Sequence, residues 1–176
     1  MDKNALQDLI ADVNHRGLDQ WTALHFAANE GHFEIVKALL THPDIDREAI
    51  SSINRTPLHL AAIRGHTNIV RLIIDSPTKP QTDRNIRDFD ENTPLHYASE
   101  YGHSDCIIYL VKEALADPFL KNKYGYTPSD IAQNMKIRQL FDNLIPRQSR
   151  ELTDGMGYGR TAVNGVLRHN DRMSTV

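Results

Sequence analysis

Apolar residues fall into short stripes that return along the chain at a long, nearly constant interval. The first stripe is Leu24, Ala27, Ala28, Ile35, Val36, Leu39 and Leu40. The second is Leu58, Ala61, Ala62, Ile69, Val70, Ile73 and Ile74, and the third Leu95, Ala98, Ser99, Cys106, Ile107, Leu110 and Val111. A weaker fourth is Ser129, Ala132, Leu140, Phe141, Leu144 and Ile145. Steps of three and four residues put each half stripe on one helical face. The first three stripes are interrupted by Gly31-His32, Gly65-His66 and Gly102-His103. Glycine suits the left-handed residue that ends a helix. Each unit therefore predicts a short helix, a tight glycine stop and a second helix, and the alanine pairs let the two helices approach closely.

Each unit also opens alike. Thr22-Ala23-Leu24-His25, Thr56-Pro57-Leu58-His59, Thr93-Pro94-Leu95-His96 and Thr127-Pro128-Ser129-Asp130 follow one another at 34, 37 and 34 residues. Threonine can cap a helix, and proline costs nothing at the first helical position. A repeat of this period marks a stacked architecture. Residues 56–70, Thr-Pro-Leu-His-Leu-Ala-Ala-x-x-Gly-His-x-x-Ile-Val, resemble the ankyrin repeat, and the likeness covers about residues 5–145. It implies an all-α solenoid of stacked helix–loop–helix units with short β-hairpin fingers. It also implies protein binding without catalysis.

On this reading residues 17–50, 51–87, 88–121 and 122–146 are repeats one to four. Residues 1–16 are an N-terminal half repeat, with Leu6, Leu9 and Ile10 on one stripe, that shields the first full repeat. Leu9-Ile10 takes the place that Leu39-Leu40 has one repeat later, and Ala11-Asp12-Val13-Asn14 resembles the run into the first finger. Spacing differences fall between units, mainly at residues 75–82, where two prolines argue for a surface loop. In the fourth unit Asp130, Gln133 and Lys136 replace histidine, alanine and glycine, as a polar capping unit requires. Residues 147–176 hold four of the nine glycines and too few aliphatic residues for a core, so a flexible tail is expected there.

Composition narrows the function. The chain has 176 residues, is 40% hydrophobic and 24% charged, and carries a net charge of −3. The tail's five arginines against three carboxylates give it +2, which leaves −5 on residues 1–146. That balance offers no polycationic surface for nucleic acid. A single cysteine, the lack of a signal peptide and the lack of a long apolar run point to an intracellular protein, cytoplasmic or cytoskeletal, without a membrane segment. Cys106 aligns with Ile35 and Ile69 and reads as a small buried hydrophobe. Six of the nine histidines repeat with the units and read as structural bonds to neighbouring loops. No triad spacing and no phosphate loop appears, so no cofactor, metal or catalytic role is expected.

The resemblance places a binding surface on the concave side, at the finger tips and the ends of the inner helices. These positions lie four, three and one residues before each threonine, and seven and eight after it. Their apolar and arginine residues are Leu18 and Trp21 in repeat one, then Ile53, Arg55, Ile63 and Arg64 in repeat two. Repeat three adds Phe89 and Tyr101, and repeat four Tyr124, Tyr126 and Met135. Aromatic and aliphatic residues that folding does not require mark an interaction site. The family's fingers carry glycine two residues before the threonine. Here only Gly125 keeps it, against Gln20, Asn54 and Glu91, so fingers one and three are expected to be mobile or reshaped. Ser174-Thr175-Val176 also resembles the carboxy-terminal ligand of PDZ domains. The second functional reading is a structural subunit of a large cytoskeletal or ciliary assembly, anchored through the tail.

Overall fold

The computed structural model describes residues 12–77 and 81–145. The stripe Leu6, Leu9 and Ile10, the tail 147–176 and its terminal Ser174-Thr175-Val176 lie outside the described residues. Among the described residues seven α-helices run in order: α1 (Ala23–Glu30), α2 (Phe33–Leu40), α3 (Pro57–Arg64), α4 (Thr67–Asp75), α5 (Pro94–Glu100), α6 (Ser104–Lys112) and α7 (Met135–Leu144). No strand occurs among the described residues. The inner helices α1, α3 and α5 pack on one another, and the outer helices α2, α4, α6 and α7 form a second row. The result is an all-α repeat solenoid.

The tetrapeptide that opens each unit does two jobs. In α1, α3 and α5 the threonine oxygen receives the backbone N–H of the histidine three residues on, which closes a capping box. The threonine N–H donates back to that histidine's Nδ1 at 3.1 Å in all three units. With Nδ1 accepting, Nε2 carries the proton. It donates to the next finger: His25 to the Arg55 carbonyl at 3.0 Å, His59 to Asn92 and His96 to Tyr126, both at 3.1 Å. One buried ring thus caps its own helix and ties it to the following repeat. In the fourth unit Asp130 closes the cap instead, accepting from the Thr127 N–H at 2.9 Å and its hydroxyl at 2.7 Å. A carboxylate cannot donate onward.

The second histidine of each unit faces the preceding one. His66 Nε2 donates to the Asn29 carbonyl at 3.2 Å and His103 Nε2 to Ile63 at 2.8 Å. Each ring lies over the glycine that ends the preceding inner helix, so close that a Cβ on Gly65 would come within 2.4 Å of His103. His32 begins the first outer helix and is exposed.

The core follows the expected stripes with two departures. All seven residues of the second stripe are buried, and so are the first six of the third, including Cys106. Burying each aliphatic side chain contributes roughly 1.5–3 kcal/mol. Ile35, expected in the first stripe, is instead 52% exposed. Its counterparts Ile69 and Cys106 are covered because a full repeat precedes them. Phe26 shows the same effect, exposed where Leu60 and Tyr97 are buried.

The other departure is repeat four. Residues 127–132 make only turns, through Ile131 N–H to the Thr127 carbonyl and Ala132 N–H to that of Ser129. Asn134 caps α7 by accepting the Ile137 N–H at 3.1 Å. The outer helix therefore starts three residues earlier than its counterparts, and Ile137 enters the core beside Phe141 and Ile145. Gln133 takes the place over Gly102 that histidines take over Gly31 and Gly65.

Candidate functional site

The fingers are tight turns built by one recurring set of bonds. In the second, the Ser51 carbonyl accepts the Asn54 N–H at 3.0 Å and the Ser51 N–H donates to Arg55 at 2.9 Å. The same pair links Asp88 with Glu91 and Asn92, and Asn122 with Gly125 and Tyr126. The residue two before each threonine is left-handed in every finger, glycine or not: Gln20, Asn54, Glu91 and Gly125 have φ between 58° and 83°. A turn closed by one left-handed residue is a common three-residue hairpin loop. The fingers are turns without strands among the described residues, so the β-hairpins expected there do not form, and finger three keeps the same turn despite Glu91. Finger one is reshaped, with Asp19 left-handed as well as Gln20.

A side chain five residues before the threonine fixes each of the last three fingers. Asp88 Oδ1 accepts the N–H groups of Asp90 and Asn92, both at 3.0 Å. Asn122 Oδ1 serves Tyr124 and Tyr126, and Ser51 Oγ serves Ile53 and Arg55. Finger one has Gly17 there, so nothing fills this role. Adjacent fingers are also bonded, Ser52 N–H to the Asp19 carbonyl and Lys123 N–H to that of Asp90.

These turns hold the tips out. Eleven large apolar side chains are exposed among the described residues, and seven belong to the expected face: Leu18, Ile53, Phe89, Tyr101, Tyr124, Tyr126 and Met135. Leu18, Phe89 and Met135 are 88%, 65% and 67% exposed. Met135 and Asn134 stand at the start of α7 and not at the end of an inner helix, because repeat four starts its outer helix early. Ile63 is half-buried.

Two expected anchors are engaged internally. Trp21 is half-buried, its ring edge-on to Phe26 at 4.8 Å and stacked over His25 at 6.1 Å. Arg55 donates to the Tyr97 hydroxyl at 2.6 Å and to Asp88 Oδ2 at 3.4 Å, with its guanidinium over the Tyr97 ring. Tyr97 in turn donates to Asp88, which is buried. Burial and the Asp88 carboxylate push the Tyr97 hydroxyl up to about 12. Sequence reasoning missed this knot, because Asp88 and Tyr97 are in register with residues elsewhere read as finger and core. The signal was present: an arginine, an aspartate and a tyrosine at inward positions of adjacent repeats.

The other cations of the face are also held. Lys123 pairs with Asp90 at 2.9 Å, and Arg64 Nε donates to Asn29 at 3.2 Å. Of the face's carboxylates only Asp90 has a cation as partner among the described residues. Among the described residues Asp19 and Glu100 have no ion-pair or side-chain hydrogen-bond partner, and Glu30 accepts only from the Asn29 amide. The surface offers apolar tips with unpaired negative charge between them.

Its titratable groups are committed to structure. Burial lowers the three capping histidines, His59 to about 4, and raises the Cys106 thiol to about 12. Among the described residues no three histidine, cysteine or carboxylate side chains gather where a metal ion could sit. None of the described helices is long and apolar enough to cross a membrane.

Compared with known protein families, residues 1–84 match ankyrin repeats (3 copies), and residues 81–132 match ankyrin repeats (many copies). No curated protein matches the chain.

Proposed function

The chain belongs to the ankyrin-repeat family, and from that membership we propose that it is a non-catalytic protein-binding module whose partner lies along the concave face. Ankyrin repeats generally mediate protein–protein interaction. One observation carries the choice of surface: among the described residues, seven of the eleven exposed large apolar side chains are on the finger tips, the end of an inner helix or the start of α7. Apolar exposure of that kind, repeated unit after unit, marks an interaction surface. Phe89, Tyr101, Tyr124, Tyr126 and Met135 crowd the end formed by repeats three and four, so the contact centres there. Trp21 and Arg55 shape the surface from beneath. Their truncation would disturb the fold together with binding.

Affinity capture with the intact chain, followed by binding measurements on the captured partner, tests this reading. Tyr126→Ala and Phe89→Ala should each weaken binding by roughly 1–3 kcal/mol, with an unchanged unfolding midpoint. Binding that ignores both substitutions yet disappears when residues 147–176 are deleted would replace this reading with a tail-anchored assembly subunit.

A further inference from the structure

The face is chemically lopsided. Among the described residues two of its three cations are ion-paired, Arg55 with Asp88 and Lys123 with Asp90, while Arg64 bonds only the neutral Asn29 side chain. Of its carboxylates, Asp90 alone is paired with a cation; Asp19, Glu30 and Glu100 are not. An apolar surface with unpaired carboxylates is complementary to a segment that alternates apolar side chains with arginine and carries no acid. This chain contains such a segment. Residues 155–168, Gly-Met-Gly-Tyr-Gly-Arg-Thr-Ala-Val-Asn-Gly-Val-Leu-Arg, hold two arginines and no carboxylate. They lie in a stretch of net charge +2 that follows a body of net charge −5. With few aliphatic residues, the segment has no core of its own to bury them in.

We infer that residues 155–168 are an intramolecular ligand of the concave face, occupying the surface that the protein partner takes. This rests on the concave-face reading above. The path is short enough. The described chain stops at Ile145, just past the last outer helix, and twelve residues separate it from Tyr158. A random coil of twelve residues spans roughly 20 Å. Met135 begins α7, ten residues back from Ile145 and about 15 Å away at the helical rise, so the segment can reach that end of the face. Tethering supplies an effective concentration in the millimolar range, so weak contacts suffice. Docking in cis makes the tail a competitor that a partner must displace, which sets a threshold for binding.

Hydrogen exchange of the full-length protein at neutral pH tests the inference. Amides of residues 155–168 should exchange about tenfold more slowly in the wild type than in Arg160→Glu/Arg168→Glu, as millimolar tethering of a weak ligand gives. Glu30→Arg/Glu100→Arg should remove the same protection. All four changes together should restore it, because the charges are then exchanged across one contact. These sites on the repeats are exposed, so an unchanged unfolding midpoint confirms an intact fold. Equal exchange in the wild type and both double variants overturns the inference, and so does protection that ignores the charge reversals. A companion measurement separates it from the reading it rests on. If Phe89→Ala weakens a captured partner while the tail is unprotected, the inference fails and the concave-face reading stands. If Phe89→Ala moves neither, both fail.

Discussion

At the residue scale, the fingers show how one side chain sets a loop. Ser51, Asp88 and Asn122 each present an oxygen to two N–H groups of their own turn. Asn and Asp favour turns for this reason. Gly17 presents none, and finger one is the finger with two successive left-handed non-glycine residues, Asp19 and Gln20. Such residues cost roughly 1–2 kcal/mol each. Supplying the missing acceptor should correct the turn. A Cβ at position 17 meets nothing closer than the Trp21 carbonyl at 3.7 Å, so there is room. Gly17→Ala gains only from a less flexible unfolded chain. Gly17→Asn should be more stable than Gly17→Ala by about 0.5–1.5 kcal/mol, the worth of the added hydrogen bonding. Urea denaturation of the two variants decides it, and equal midpoints would refute the role given to this position.

At the element scale, the helices of the first three units were legible because sequence and structure use the same offsets from each threonine. Capping box, glycine stop and apolar stripe agree, so local and long-range preferences coincide. Repeat four was less legible. Its threonine, proline and leucine-poor stripe suggest a fourth inner helix, but Asn134 caps the outer helix early and leaves only turns before it. The offsets also hide neighbours, which is why Ile35 read as core while lacking a described repeat to cover it. Likewise the glycines look alike in sequence and differ in surroundings. Gly65 has φ +71° with His103 pressed over it, whereas Gly125 has φ +83° with open space where a Cβ would go. Gly125→Ala should therefore cost about 1–2 kcal/mol, the left-handed penalty alone. Gly65→Ala carries that penalty and must also push away a ring that bonds the Ile63 carbonyl, so its loss should be larger by at least about 1 kcal/mol. Thermal or urea unfolding of both variants gives the comparison. A Gly65→Ala variant no worse than Gly125→Ala would show that the histidine ring is free to move.

At the scale of the whole molecule, the exposed tips of the binding face were readable and the bonds behind them were not. Leu18, Phe89 and Tyr124 announce themselves as apolar residues at positions the core does not use. The engagement of Arg55 with Asp88 and Tyr97, and of Trp21 with Phe26, depends on how adjacent repeats superpose. The same superposition makes the stack sensitive to acid. His25, His59 and His96 are buried with Nδ1 accepting from threonine and Nε2 donating to the next finger. A proton on Nδ1 would remove the acceptor that holds the threonine N–H and place an uncompensated charge in the core. Burial accordingly lowers all three from the ordinary 6.5, and His59 falls to about 4. The unfolded chain then binds more protons than the folded one below about pH 6.5. The stability these rings confer is fully present above that pH and is lost as pH falls, for His59 down to about 4. Each histidine contributes a slope of up to about 1.4 kcal/mol per pH unit, and three acting together up to about 4. His59→Gln keeps an acceptor for Thr56 and a donor for Asn92 but cannot titrate. Its unfolding free energy, measured by urea at half-unit steps from pH 7 to pH 4.5, should fall less steeply than the wild type's, by up to about 1.4 kcal/mol per pH unit. Identical slopes would mean that the buried rings take up protons without loss of the caps, and that the link between repeats does not depend on the neutral tautomer.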